Sequence, residues 1–274
     1  MTPLDDDSEE LETLLTQAEG ALDAGEIERA LDLLDEPAHE PEAHPEVRAM
    51  FGLALYYGGD HDDAFDYLAE AVEHDPDDAE FRVALGVCYF YRLDFATAEK
   101  ELRRAGLTEA DSPDAHYWLG RVLEFRGRYP EAMVEFQRAE TLDREHFPAP
   151  RRIRDEDLDA VMQDAIAGLP PRIKSALDDV AILVEEYPAE ELLTDCDPPF
   201  EPDILGVFTG LPRAERGAGA SGQVPNTIHI FRRNVEHFVG EREEVVDELR
   251  VTLLHEIGHY LGMDEEELEA LGLE

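Results

Sequence analysis

Three glycines, Gly52, Gly86 and Gly120, stand 34 residues apart, and two ladders of alanine keep the same step. Ala64, Ala98 and Ala132 form one ladder; Ala71, Ala105 and Ala139 form the other. One period earlier the first two phases hold Ala18 and Ala30. A fixed period of this length marks one supersecondary unit used over and over, with room for two helices and their turns. Small residues at these phases let the two helices of a unit approach closely, while Leu85, Leu102, Leu119 and Phe136 fill the space beside them. Turns are expected at Gly25-Glu26, Gly59-Asp60, Leu93-Asp94 and Gly127-Arg128, and breaks between units at Asp75-Pro76 and Ser112-Pro113.

Period and phase together resemble the tetratricopeptide (TPR) family over residues 11–146, as four helix–turn–helix units with the first more degenerate. The resemblance implies a curved solenoid whose inner wall is made by the first helix of each unit. By the family's phase, Tyr56, Tyr57, Val83, Phe90, Tyr91, Tyr117, Arg121 and Phe125 face that groove. Aromatic residues with an acidic rim suit a protein partner that offers apolar anchors and positive charge. Packing of the same aromatics within the chain is the alternative, and the sequence leaves both open.

The chemistry is carried by Leu254-His255-Glu256-Ile257-Gly258-His259-Tyr260-Leu261-Gly262-Met263-Asp264-Glu265. His255 and His259 stand one helical turn apart, which places both imidazoles on one face about 6 Å apart. Two imidazoles so placed can share a Zn²⁺ ion, with Glu256 beside it to take a proton from the water the ion activates. Val245 to Leu254 supplies the apolar helical spacing that makes the helix credible, with Glu-rich residues 241–244 at its positive end. Gly262 can adopt φ > 0, end the helix and turn the chain back. The spacing then puts Glu265 where the metzincin pattern carries its third ligand.

Residues from about Leu158 onward resemble the minimal zincins, short bacterial zincin-like metallopeptidases. The likeness rests on Leu158–Pro170, Val180–Glu186, Ile204–Pro212, Ile228–Phe231 and His255–Gly262, taken in order. It implies a small α+β domain, zinc held by His255, His259 and Glu265, and hydrolysis of peptide bonds with Glu256 as general base. Family members carry Asp or Ser where this chain has the longer Glu265, and Asp264 or Glu266 could serve in its place. After the motif the sequence shows no dependable oxyanion partner, because Tyr260 should point away from the metal on a regular helix. The competing reading is a non-catalytic TPR adaptor with a degenerate or structural zinc site.

Elsewhere, Asp155 to Gly168 reads as an amphipathic helix, and Val180–Glu185, Ile204–Thr209 and Thr227–Phe231 as strands. Leu211–Pro225 reads as a Gly-rich loop, either over the cleft or a plain connector. His229 alternates with Ile228 and Ile230, so it points to the other sheet face and is expected to be structural. Arg151-Arg152-Ile153-Arg154 could pair with the acidic repeats or be solvated. The expected organisation is α+β overall: an acidic tail (1–10), an all-α TPR solenoid (11–146), a junction (147–154) and a zincin-like domain (155–274).

The net charge of −44, from 67 acids against 23 lysines and arginines, repels nucleic acid and anionic membrane, so neither is an expected partner. Acids spread along the whole chain fit a haloadapted or highly soluble surface better than one basic-peptide patch. Cys88 and Cys196 offer no disulfide framework or CxxC knuckle. The N-terminus lacks a basic-then-apolar leader pattern and no run reaches 18 apolar residues, so the cytoplasm is expected.

Overall fold

The computed structural model describes residues 3–40, 42–109, 111–196, 199–213, 225–239 and 242–269, and of residues 3–8, 242, 243, 265 and 269 the backbone alone. The chain divides into two compact units, Met1–Ala149 and Pro150–Glu274. Among the described residues no helix is long and apolar enough to cross a membrane.

Four helical hairpins make up the described part of the first unit. They are α1 (Pro3–Asp23) with α2 (Ile27–Ala38), α3 (Pro45–Gly58) with α4 (His61–His74), α5 (Ala79–Tyr91) with α6 (Phe95–Thr108), and α7 (Pro113–Phe125) with α8 (Tyr129–Leu142). The acidic stretch expected as a tail is helical from Pro3. Helix starts are fixed by local chemistry. Asp78 accepts from the Phe81 amide at 2.9 Å, Ser112 from the Ala115 amide at 3.3 Å, and proline opens α3 and α7. Each hairpin turns through one left-handed residue at the same phase: Gly25 (φ 71°), Gly59 (88°), Leu93 (62°) and Gly127 (70°).

The alanine ladders are sealed, with Ala18, Ala30, Ala64, Ala98, Ala132, Ala105 and Ala139 all at 0% exposure. A β-carbon added to Gly86 would lie 2.8 Å from Leu102 Cγ, and one on Gly120 only 2.5 Å from Phe136 Cε1. The glycines therefore set the distance between paired helices. Cys88 is buried core, and burial pushes its thiol up to about 12.

Of the two roles the sequence leaves open for the groove-phase residues, packing within the chain is seen for several. Val83, Phe90 and Arg121 are buried, and Tyr56, Tyr91, Tyr117 and Phe125 are half-buried, while Tyr57 is 48% exposed. Phe90 is enclosed by the rings of Phe125 at 5.0 Å, Phe95 at 5.5 Å and Trp118 at 5.6 Å, with the Arg121 guanidinium 5.5 Å above it. Rings from neighbouring repeats satisfy one another edge to face, so they knit the repeats together.

In the second unit, α9 (Asp155–Gly168) is followed by α10 (Pro171–Lys174), β1 (Val180–Glu185), α11 (Glu190–Thr194), β2 (Gly206–Thr209), β3 (Asn226–Phe231), α12 (Arg232–Phe238), α13 (Arg242–Leu261) and α14 (Glu265–Glu269). The sheet order is β1-β3-β2. β1 runs parallel to β3 with Ile182 opposite Ile228, and β2 runs antiparallel with Phe208 opposite Ile228. Ile204 stays out of the ladder; its carbonyl accepts from Asn234 Nδ2 at 2.8 Å. Ile228 and Ile230 form a core with Val245, Leu249, Leu253, Ile257 and Tyr260 of α13 and with Leu158, Val161, Met162 and Ala165 of α9. The α13 stripe, repeating every three or four residues, is what lays that helix on the sheet.

The basic run is built into this unit. Ile153 is 1% exposed, Arg152 bonds Glu236 at 2.7 Å, and Arg154 bonds Asp157 at 2.8 Å. Glu236, with no exposure, also accepts from the Ile153 amide at 2.9 Å, Arg232 at 3.1 Å and Arg233 at 3.0 Å. A buried carboxylate needs such partners, and the arginines are held in place by meeting that need.

Candidate functional site

The last turns of α13 carry His255, Glu256 and His259 on the face next to its apolar stripe. Gly262, at φ 91°, ends the helix, with its amide bonded to the His259 carbonyl at 3.0 Å and the Met263 amide to the Gly258 carbonyl at 3.0 Å. This is the glycine-terminated helix end that the spacing predicts. The two imidazoles meet with Nε2 atoms 2.8 Å apart and rings inclined at 77°.

Glu256 is only 5% exposed because β2 lies against it. A β-carbon on Gly206 would come within 3.2 Å of Glu256 Cγ and 2.9 Å of Thr252 Cγ2, so glycine is what lets the strand approach the helix. Beside these residues opens a cleft of about 610 Å³, walled by Phe200, Val207, Pro212, Met263 and Asp264, with both histidines and Glu256 on its lining. Among the described residues β2 stands at an edge of the sheet, and one side of its backbone has no strand partner there.

The side chain of Glu265 lies outside the described residues; its backbone is the first residue of α14. Asp264 is on the cleft wall, yet its carboxylate accepts from the Glu267 amide at 3.0 Å while Glu267 Oε2 accepts from the Asp264 amide at 3.3 Å. That reciprocal pair is a capping box, and the D-x-x-E pattern announces it in the sequence. Glu266 is exposed. Among the described residues, no group of three or more His, Cys, Asp or Glu side chains gathers as a metal site. His255 and His259 fit zinc: their Nε2 atoms lie 2.8 Å apart, and bonds of about 2.0–2.1 Å require donor atoms no further apart than about 4 Å.

Other candidates are spoken for. His229 Nδ1 meets Glu185 Oε2 at 2.6 Å and its Nε2 meets Thr209 Oγ1 at 3.3 Å, on the sheet and away from the helix. Tyr260 points into the core, donating to the Ala176 carbonyl at 2.7 Å. The sequence reading missed Gly206, whose place inside a strand was the available signal, and the cleft walls Phe200 and Met263, which have no local signature.

Comparison with known proteins matches this division. Residues 177–273 match the family model described as zincin-like metallopeptidase. Residues 55–112 and 89–146 match two tetratricopeptide repeat models. The chain joins a TPR region to a zincin-like domain. Among solved structures, MamA MSR-1 is 22% identical with a TM-score of 0.41, over 49% of this chain and 78% of that one. MamA 41-end from Desulfovibrio magneticus RS-1 is 20% identical with a TM-score of 0.42, over 48% and 75%. YrrB, described as a TPR protein with an unusual peptide-binding site, is 19% identical with a TM-score of 0.41, over 47% and 66%. No curated protein matches the chain. His255 and His259 lie within the residues matched by the zincin-like model.

Proposed function

We propose that this protein is a zinc-dependent peptidase whose TPR region recruits a protein partner or substrate. The observation that carries this reading is the convergence of His255 and His259, Nε2 to Nε2 at 2.8 Å, beside the shielded carboxylate of Glu256 on one cleft. His255, His259 and Glu265 would hold the ion; Asp264 is the weaker third donor, since it already caps α14. When bound, zinc supplies Lewis-acid polarisation of the scissile carbonyl and makes water acidic enough to lose a proton near neutral pH. Glu256 would accept a proton from the attacking water and return it to the leaving amine. The β2 edge offers backbone groups that an extended peptide can pair with, which would lay the scissile bond along the cleft.

The partner surface of the TPR region is read from its first helices. Tyr57 donates to Glu80 Oε1 at 2.8 Å across two hairpins. Burial, and then the charge of Glu80, raises the Asp114 carboxyl above its ordinary value. Carboxylates that repel each other beside exposed tyrosine suit a partner bearing Lys or Arg. Placement in the cytoplasm belongs to the same proposal and rests on the sequence.

The test is a pair of measurements on the full chain. Elemental analysis should find one zinc per chain, lost in the double variant His255→Ala, His259→Ala. Peptide-library cleavage should be present in wild type and fall about 10²- to 10⁴-fold in Glu256→Gln with zinc retained. A wild-type chain that holds zinc and binds peptides without cutting any would make it an adaptor instead.

A further inference from the structure

We infer that Leu268, seated on Gly258, is the positioning residue that fixes the third zinc donor relative to the histidine pair. The inference rests on the zinc reading above. Helix α14 is five residues long, Glu265–Glu269, with four glutamates and one leucine. A helix that short has no stability of its own. It also follows the C-terminal end of α13, where the helix dipole disfavours carboxylates. Two things hold it: the capping box of Asp264 and Glu267, and the burial of Leu268, which is 0% exposed while Glu266 and Glu267 are exposed.

Leu268 is buried on a particular spot. A β-carbon built on Gly258 would overlap Leu268 Cδ2 and come within 3.5 Å of Met263 Sδ. Gly258 stands between His255 and His259 in the last turn of α13, still inside the helix, where glycine is otherwise a poor choice. Its missing side chain is the seat for the leucine. Any movement of Leu268 therefore shifts the start of α14, where Glu265 stands, with respect to the two Nε2 atoms. Leu268 belongs to the same short helix as Glu265, so its effect on that donor runs through α14.

The test is zinc affinity of the full chain, measured by competition with a chromophoric chelator, with cobalt absorption as a second readout of the donor set. Leu268→Ala should weaken zinc about ten- to a hundredfold, the range seen when groups that orient metal ligands are removed. Leu268→Met should restore most of the loss. Gly258→Ala separates positioning from stability. The alanine methyl would displace the buried Leu268, so a purely packing role predicts lower thermal stability with zinc affinity unchanged. A positioning role predicts weaker zinc and an altered cobalt spectrum with helical content maintained. If Leu268→Ala and Gly258→Ala both bind zinc like wild type, the positioning role is wrong while the histidine site stands. If wild type takes up no zinc through His255 and His259, the site itself falls, and this inference with it.

Discussion

Leu93 occupies a backbone conformation that leucine avoids. Its φ of 62° matches the glycines that hold the equivalent turns at Gly25, Gly59 and Gly127. The turn is kept by its hydrogen bonds, Leu93 amide to Phe90 carbonyl at 3.0 Å and Asp94 amide to Tyr89 carbonyl at 2.9 Å. A left-handed residue with a β-carbon costs about 1–2 kcal/mol, and glycine in its place gives back about 0.5–1 kcal/mol in chain entropy. Leu93→Gly should therefore stabilise the repeat region by up to about 1 kcal/mol in urea unfolding. Gly127→Ala should destabilise it by about 1 kcal/mol, and for backbone reasons alone, since an added β-carbon there meets nothing within 4 Å. A loss of stability in Leu93→Gly would mean that the half-buried side chain outweighs the strain.

Between elements, the decisive contacts are those that set how closely two pieces of backbone approach. Gly120→Ala places a methyl against Phe136, which is fully buried and cannot swing away, so about 1–3 kcal/mol should be lost. Alanine is the better helix former, so a gain in thermal stability would refute the close-approach explanation of the glycine period. That period was readable from sequence because the same crossing recurs and demands the same small residue each time. The strands and the α13 helix were readable for a related reason: alternation and helical spacing are local. What pairs with what is not. Nothing near β3 says that it lies between β1 and β2, and Glu236 meets Arg152 across a separation of 84 residues. The sequence therefore leaves the run Arg151–Arg154 open to solvation or to pairing with the repeats, whereas Arg152 in fact meets the buried carboxylate of Glu236. Glu236→Ala removes the fully buried carboxylate that Arg152, Arg232 and Arg233 share and should cost about 3–5 kcal/mol, lowering the unfolding transition of the second unit. At the candidate site the histidine pair was legible from its spacing. The capping role of Asp264 carries a D-x-x-E signal, but the same stretch of acids also satisfies the third-donor spacing, so sequence alone does not separate the two roles.

At the scale of the whole molecule, the cations are concentrated in a few networks while the acids are everywhere. Glu99 alone engages Arg103 at 2.8 Å, Arg128 at 2.7 Å and Arg126, and Glu236 engages three more arginines. With −44 net charge and much of the positive charge used internally, the remaining surface repels itself. Salt should then stabilise the fold, because the Debye length shrinks from about 30 Å at 0.01 M to about 3 Å at 1 M. The pH dependence follows from named groups. Burial raises the Asp114 and Glu248 carboxyls, so their contribution to stability falls as pH rises from the ordinary carboxylate range through their higher folded values. Glu99 works the other way. Burial alone would raise it, but hydrogen bonds from Arg103 and Arg128 hold it below its ordinary value, so its contribution is lost only as pH falls through that lowered value. Stability at low salt should thus rise on going from pH 8 towards mildly acidic conditions and collapse only at lower pH. Thermal melts across potassium chloride at pH 8 should climb by several degrees, roughly what 1–3 kcal/mol produces in a chain of this size. The gain from acidification should shrink at 1 M salt, where the diffuse repulsion is already screened and only the buried carboxyls still respond. A melting temperature that falls with salt at pH 8 would mean that specific ion pairs, and not diffuse repulsion, dominate the electrostatics of this surface.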